Sequence, residues 1–345
     1  MLGNNIKKYR LLNGLSMRDL ANLLGVSHQT IKKYEDDTMT PNSTRLIEIA
    51  KILKVNISDL VYSYPAVKIE FGNYRKNSQL SKKQLEGLQL LCKDEISKYI
   101  EILNLADEFV SFDKKWKFNV SNYSEIEEIA LKVRKLLGVS ESGPLDNFTD
   151  KLENNGFLIL EVNFSENFDG FSGKVNDCSF IILSSKGYER NRFTLAHELG
   201  HLILNFKEDL SQKDKEKYCN YFASCLLMPQ FSIKSDLAIG RNKLIKNISL
   251  NDIFMLATTY KVSLNAVIMR LYYLGIIDEF KKRNLFIQLS KKGLKKEQLK
   301  FVEEHPLKEK KIIFRLESEN IISKKEAIKY LGVSTNEYNR LYFGN

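Results

Sequence analysis

A mainly helical α+β chain with one small antiparallel sheet and two or three domains is the fold class the sequence predicts. Three observations predict it. Apolar residues recur at helical spacing over most of the length. The period changes to short β-rich runs at Gly156 to Asn163 (GFLILEVN) and Cys178 to Ser184 (CSFIILS). The 345 residues, 43% hydrophobic and 28% charged, exceed one ordinary domain and have globular composition.

Taken in order, Ile6 to Leu12, Met17 to Leu24, Gln29 to Asp36, Ser43 to Leu53 and Ile57 to Val61 read as five short helices. Ser16 and Ser27 start the second and third by accepting from free helix N–H groups, and Gly25 supplies the break between them. This gives a first domain over 1–64. A connector over 65–118 holds an extended, polar stretch from Val67 to Ser78 and a long amphipathic helix from Lys82 to Phe109. A third section, 119–280, starts with helices from Tyr123 to Leu137, ending at Gly138, and from Leu145 to Glu153, before the Asn154-Asn155-Gly156 turn. The two β runs follow, with a third strand expected over Asp169 to Lys174. Helical periodicity returns at Asn191 to Asn205, at Lys213 to Leu227, where Pro229 stops it, and from Leu250 to Gly275. Residues 281–345 form a basic C-terminal region to which no role is assigned. Within it, Ile322 to Leu341 repeats a helix-break-helix pattern around Gly332-Val333-Ser334, too briefly to be read from sequence as a second DNA reader.

The formal charge of +10 suits a polyanionic partner, but its distribution matters more. Lys281 to Asn345 holds 16 Lys/Arg against 8 Asp/Glu, a net +8, whereas Met1 to Leu60 holds 9 against 6, a net +3. The basic tail is read as a solvated surface, and charge alone decides nothing. No apolar run approaches the ~18 residues of a membrane span, and the first residues lack the apolar core of a signal peptide. A cytoplasmic protein without membrane contact is expected. Cys92, Cys178, Cys219 and Cys225 form no CxxC pair and lie in helical or strand patterns, so buried free thiols are expected.

His197-Glu198-Leu199-Gly200-His201 is an HExxH motif within a helical pattern flanked by Phe193, Leu195, Ala196, Leu202 and Ile203. Four residues are about one turn, so both imidazoles project from one face and can bind one metal ion. Glu198 lies to the side of that face, where its carboxylate can take a proton from a water that the metal acidifies. A catalytic zinc needs a third protein ligand. Spacing leaves Glu216, Glu208, Asp209 and Asp214 open for this role, with Glu216 the best placed if the helix it opens packs antiparallel to the HExxH helix. Asn220, one turn after Glu216, can support a ligand by hydrogen bonding or serve a purely structural bond. Tyr218 and Tyr221 are read as core aromatics rather than oxyanion donors.

The stretch from Arg192 to Pro229, RFTLAHELGH followed by ExxCNxFAxxLLMP, resembles the ImmA/IrrE family of metallopeptidases. Ser142-Gly-Pro-Leu145, Glu153-Asn-Asn-Gly156, Val262-Ser263 and Arg270-Leu271 also resemble the family, and the similarity covers roughly Glu125 to Gly275. The resemblance implies a zincin-like endopeptidase domain with Glu216 as third metal ligand, zinc as the metal with manganese as the alternative, and helix-turn-helix repressors as protein substrates. Ile6 to Val61 resembles the XRE helix-turn-helix family through Leu20-Ala21, Gly25-Val26-Ser27, Ile31 and Tyr34-Glu35. It implies DNA as a partner and a recognition helix over His28 to Glu35. Along that helix His28, Gln29, Thr30, Lys32 and Lys33 suit the major groove: Gln29 can pair with adenine, Thr30 can meet a thymine methyl or a phosphate, and the lysines suit phosphates or guanine. Met17 departs from the family, which often has a phosphate-binding glutamine there.

Two functions follow. One is a zinc-dependent metallo-endopeptidase that cuts a specific regulatory protein, coupled to sequence-specific DNA binding. The other is a DNA-binding transcriptional regulator or antitoxin-like repressor with a structural or sensory metal site. A complete HExxH favours the enzyme, because a structural site has no need of a general base. Homodimerisation stays open; such DNA-binding domains commonly pair on palindromes.

Overall fold

Side chains that satisfy the free N–H groups of a helix start cut residues 2–61 into short helices. α1 spans Leu2–Leu12, α2 Met17–Leu24, α3 His28–Glu35, α4 Ser43–Leu53 and α5 Ile57–Val61. Ser16 caps α2, Ser27 caps α3 and Asn42 caps α4, each accepting from an N–H three residues on. Gly25 ends α2 in the left-handed conformation that glycine tolerates without strain. Ile6, Leu20, Ile31, Ile49 and Leu60 are fully buried between these helices.

The computed structural model describes residues 2–72, 80–108, 114–164, 168–184, 188–237, 248–293 and 304–343. The second half of the expected extended stretch Val67 to Ser78, residues 73–78, lies outside the described residues. The chain divides into two units, Met1–Phe109 with Phe164–Phe168 and Leu307–Asn345, and Val110–Asn163 with Asp169–Pro306.

In the first unit a short strand β1 (Ile69–Phe71) and the long helix α6 (Lys82–Leu105) follow the five helices. α6 lies along α1, where Gly87 admits the Leu11 side chain and Lys8 pairs with Asp94 at 2.7 Å. Three C-terminal helices complete this unit: α15 (Lys308–Ser318), α16 (Lys324–Leu331) and α17 (Thr335–Phe343). α15 packs on α6, with Lys98 held between Glu95 and Glu309 at 2.6 and 3.2 Å.

The second unit contains the sheet. β2 (Phe118–Val120), α7 (Tyr123–Leu136) and α8 (Phe148–Asn154) lead into β3 (Phe157–Val162), β4 (Gly170–Val175) and β5 (Cys178–Ser184). β4 and β5 form an antiparallel hairpin turning at Asn176 and Asp177, with Val175 opposite Cys178. β3 pairs parallel with β5, Phe157 opposite Ser179, so the sheet is mixed and the expected antiparallel sheet is corrected. The physical reason is visible in composition: β3 and β5 are apolar on both faces and nearly all buried, the pattern of strands covered on two sides. α8 covers β3, and α9 (Tyr188–Ile203) covers β4 and β5.

After α9 the chain does not stay helical to Asn205 as expected. Leu204–Phe206 form β6, parallel to β2, and Lys117 donates to the Leu202 carbonyl at the helix end. α10 (Gln212–Leu227), α11 (Gln230–Asp236), α12 (Leu250–Tyr260), α13 (Leu264–Tyr273) and α14 (Glu279–Lys291) complete the unit. The expected stretch Leu250 to Gly275 is broken, because Lys261 turns left-handed (φ 54°) and Ser263 caps a new helix. Among the described residues no helix is long and apolar enough to cross a membrane, and all four cysteines are buried and free.

Two buried arginines tie α7 to the end of α10. Arg134 donates to the carbonyls of Ser140, Gly143 and Leu226. Arg270 of α13 clasps Glu127 with both terminal nitrogens at 2.7 and 2.9 Å and donates to the Met228 carbonyl. Burial would raise the Glu127 pKa, but the Arg270 bonds hold it below the usual carboxylate range. Arg270→Met leaves that carboxylate without its cation, with only the Tyr221 hydroxyl still donating to it, and is expected to cost about 3–5 kcal/mol, read from urea unfolding at neutral pH. A depressed folded pKa contributes stability above the unfolded pKa, so the deficit should narrow as pH falls below about 4 and Glu127 protonates. A pH-independent deficit the size of a surface pair would contradict this.

Candidate metal centre

The HExxH residues occupy the C-terminal half of α9, and their one-turn spacing places both imidazoles on the side facing α10. Leu195, Ala196, Leu199, Leu202 and Ile203 are buried and fix the rotation of α9 in the core. α10 then approaches closely. A Cβ added at Gly200 would stand 3.2 Å from Phe222 and 3.4 Å from the Cys219 Cα, so only glycine leaves this contact unstrained. Ser211 caps α10, and one turn on from that cap Glu216 faces the two histidines.

Three atoms converge. The Nε2 atoms of His197 and His201 are 3.1 Å apart, and Glu216 Oε2 lies 3.2 Å from the first and 3.4 Å from the second. A tetrahedral zinc with ligands at ~2.0–2.1 Å needs its donors ~3.3–3.4 Å apart, so the triangle fits such an ion. Each side chain is partly buried, at 15%, 22% and 17% exposure, which shields the cluster yet leaves a way in. His197 Nδ1 is buried with no hydrogen-bond partner among the described residues, so the ring's polar engagement is at Nε2. Gln212, one turn before Glu216, donates to its Oε1 at 2.8 Å and leaves Oε2 to the cluster.

The electrostatics draw positive charge to this point. Burial alone would lower the His201 pKa, but hydrogen bonds with Cys219 and Glu216 raise it to about 11. Burial would raise Glu216, but hydrogen bonds with His197 and His201 hold it far below the usual carboxylate range. A cation replacing the shared proton would satisfy the same lone pairs.

Glu198 points elsewhere. Its Oε2 accepts from the Ser172 hydroxyl of β4 at 2.8 Å, both residues being buried, while Oε1 makes no hydrogen bond among the described residues. β4 can lie this close to α9 because Gly170 has no side chain to strike Thr194.

The structure thus brings His197, His201 and Glu216 together and sets Glu198 beside them on the same helix. Of the other acids, Asp214 is engaged with Ser211 and Lys217, and Glu208 and Asp209 are absent from the cluster. Asn220 makes no side-chain hydrogen bond among the described residues; the bond to Glu216 comes from Gln212. Tyr221 donates to Glu127 and Tyr218 stacks on Tyr123, at 4.4 Å between centroids, which accounts for both aromatics. Sequence reasoning missed Ser172 and Gln212. Gln212 was within reach of it, four residues before Glu216 on one helix; Ser172 lies on another element and no spacing points to it.

On α3, His28, Gln29, Lys32 and Lys33 are exposed and Thr30 half-exposed, while Ile31, Tyr34 and Glu35 are buried. α3 is fixed from behind: Arg10 pairs with Glu35, and a Cβ at Gly3 would meet the Tyr34 carbonyl at 2.4 Å. Thr30 Oγ1 lies 2.9 Å from the Ser27 hydroxyl and is partly committed to the turn.

Comparison with known proteins matches the two domains that carry these residues. Residues 6–60 match the helix-turn-helix family, and residues 169–272 match the IrrE N-terminal-like domain of the M78 peptidases. A putative HTH-type transcriptional regulatory protein of Methanobrevibacter smithii is 35% identical over 83 residues, 23% of this chain and 26% of that protein. An uncharacterized HTH-type transcriptional regulator of Methanocaldococcus jannaschii is 42% identical over 57 residues, 16% of this chain and 86% of that protein. The chain therefore spans about a quarter of the first relative and most of the second. It belongs to the helix-turn-helix family through its N-terminal domain, and it carries in addition an IrrE N-terminal-like peptidase domain.

Gly200→Ala tests the geometry. Helix propensity alone would make it neutral or favourable by ~1 kcal/mol. Pushing α10 outward should instead weaken zinc binding by about tenfold or more, with the thermal midpoint of the zinc-free protein unchanged. Glu216→Ala should lose zinc and Glu198→Gln should keep it. Equal zinc content in all four proteins, measured by competition with a chromogenic chelator, would remove Glu216 from metal binding.

Proposed function

We propose that the chain is a zinc-dependent endopeptidase that cuts a regulatory protein, a helix-turn-helix repressor being the expected substrate, and that α3 directs it to DNA. The observation that carries this reading is the pairing of a complete three-donor cluster with a carboxylate, Glu198, that takes no part in it. A structural or sensory metal site needs the first and has no use for the second.

His197, His201 and Glu216 would hold the ion, and zinc bound there would acidify a water and polarise the peptide carbonyl. The remaining steps belong to side chains on α9 and β4. Ser172 pins Glu198 Oε2, which fixes the carboxylate rotamer and leaves Oε1 to receive a proton from the attacking water. The same carboxylic acid then hands that proton to the leaving nitrogen. Burial of Glu198 and Ser172 keeps bulk water from competing for it. α3 supports the DNA-directed part: four exposed polar residues on one helix, held from behind by the Arg10–Glu35 pair.

The test compares protein N-termini across the proteome in cells expressing the wild type or Glu198→Gln at equal levels. New termini present only with the wild type would identify the substrate. Ser172→Ala should keep zinc and slow that cleavage about tenfold, the worth of one hydrogen bond to a charged group. Identical termini in the two cell lines, with zinc bound and DNA recognised, would favour the transcriptional-regulator reading.

A further inference from the structure

Ser323 to Phe343 repeats, bond for bond, the turn that joins α2 to α3. In the first copy Ser16 caps α2, Asp19 accepts from the Ser16 N–H at 2.7 Å, and Gly25 ends the helix at φ 62°, ψ 35°. Val26 N–H then reaches back to the Ala21 carbonyl at 3.0 Å, and Ser27 caps α3 by accepting from Thr30 N–H at 3.1 Å. In the second copy Ser323 caps α16, Glu326 accepts from the Ser323 N–H at 2.7 Å, and Gly332 ends the helix at φ 64°, ψ 28°. Val333 N–H reaches back to the Ile328 carbonyl at 3.4 Å, and Ser334 accepts from Glu337 N–H at 3.2 Å. α2 and α16 are each 8 residues long, so the two turns are also in register. Four residues after each first cap stands a buried residue, Leu20 and Ala327, and four after each second cap another, Ile31 and Tyr338.

The turn alone does not make a reader. α12 and α13 are joined by a similar one, Lys261-Val262-Ser263, yet α13 buries Leu264, Val267, Ile268 and Leu271 in the core of its unit. α3 and α17 share a free outer face instead. His28, Gln29, Lys32 and Lys33 are exposed on α3; Thr335, Asn336, Glu337 and Arg340 are exposed on α17, and Asn339 is half-buried. α15 packs on α16 and α16 on α17, with Ile312, Ile313, Leu316, Ala327, Tyr330 and Tyr338 buried on these helices and Phe314 of α15 against the Tyr338 ring. The charge is also alike: Leu307 to Asn345 holds 8 Lys/Arg against 5 Asp/Glu, a net +3, equal to that of Met1 to Leu60.

We infer that α16 and α17 form a second DNA-reading helix-turn-helix, with α17 lying in the major groove of duplex DNA and Asn336 and Arg340 reading base edges. Asparagine presents a donor and an acceptor that match adenine N7 and N6, and arginine matches guanine O6 and N7. Asn336 and Arg340 fall at the positions that Gln29 and Lys33 occupy on α3, one turn apart on the exposed face. A protein with two such elements would recognise a composite site with two separate sequence blocks.

The full chain is used to select from duplexes with a randomised central region, as wild type, as the α3 variant Lys32→Ala/Lys33→Ala, and as the α17 variant Asn336→Ala/Arg340→Ala. The wild type should enrich two blocks. The α17 variant should lose one and keep the other, bind the wild-type site at least tenfold more weakly, and lower the salt slope by about 1 if Arg340 reaches a phosphate. All four residues are exposed, and unchanged thermal midpoints would exclude misfolding. Thr335→Lys adds a gain-of-function arm, raising the salt slope by about 1 only if this face lies on DNA. An α17 variant that enriches the same blocks at unchanged affinity, with no change of slope for Thr335→Lys, would overturn the inference and leave α17 as a protein-facing or structural helix. Loss caused by the α3 variant alone would have the same meaning. Loss caused by the α17 variant alone would uphold it and remove α3 as a reader, and no enriched block with the wild type would remove both.

Discussion

The close approach of α9 and α10 at Gly200 is the constraint on which the donor cluster of the second unit depends. Two histidines one turn apart can offer only two donors; the third must come from another element. Its position is set by how near that element can lie. With no side chain at Gly200, α10 can rest against the α9 backbone, and Glu216 Oε2 reaches within 3.2 and 3.4 Å of the imidazoles. The rest of the unit supports this contact. The sheet covers α9 on one side, while Arg134 and Arg270 fasten the far end of α10 to α7 through carbonyls that would otherwise be unpaired.

The division of labour within HExxH follows from the two elements flanking α9. On the α10 side the donors are aligned by Gln212 and by packing. On the β4 side Glu198 is held by Ser172, away from the donors. One helix thus carries part of a three-donor cluster and a separate carboxylate without merging them. A base that also ligated the metal would have lost its proton affinity.

Much of the site was legible because its chemistry is local. HExxH specifies a face by spacing alone, and so do the cap serines and glycine breaks of the first domain. Glu216 was not fixed by spacing, since four acids lie between Glu208 and Glu216; the resemblance to a known family singled it out. The sheet was read less well. An antiparallel arrangement was expected because β3, β4 and β5 follow one another, but apolar residues on both faces of β3 and β5 mark covered strands and fit their parallel pairing. β6 was missed because Leu204 and Phe206 continue the apolar spacing of α9, and only pairing with β2 and the bond from Lys117 end the helix there. The C-terminal turn was seen in sequence but was too short to interpret. Its meaning depends on which residues of α17 stay exposed, a property that α13, with a similar turn, does not share.

The most direct measurement is anomalous diffraction from crystals grown with zinc, recorded on both sides of the zinc absorption edge. A single strong peak bonded to His197 Nε2, His201 Nε2 and Glu216 Oε2, with Glu198 outside the coordination sphere and still bonded to Ser172, is the expected result. A peak elsewhere, or one that takes Glu198 as a ligand in place of Glu216, would contradict it.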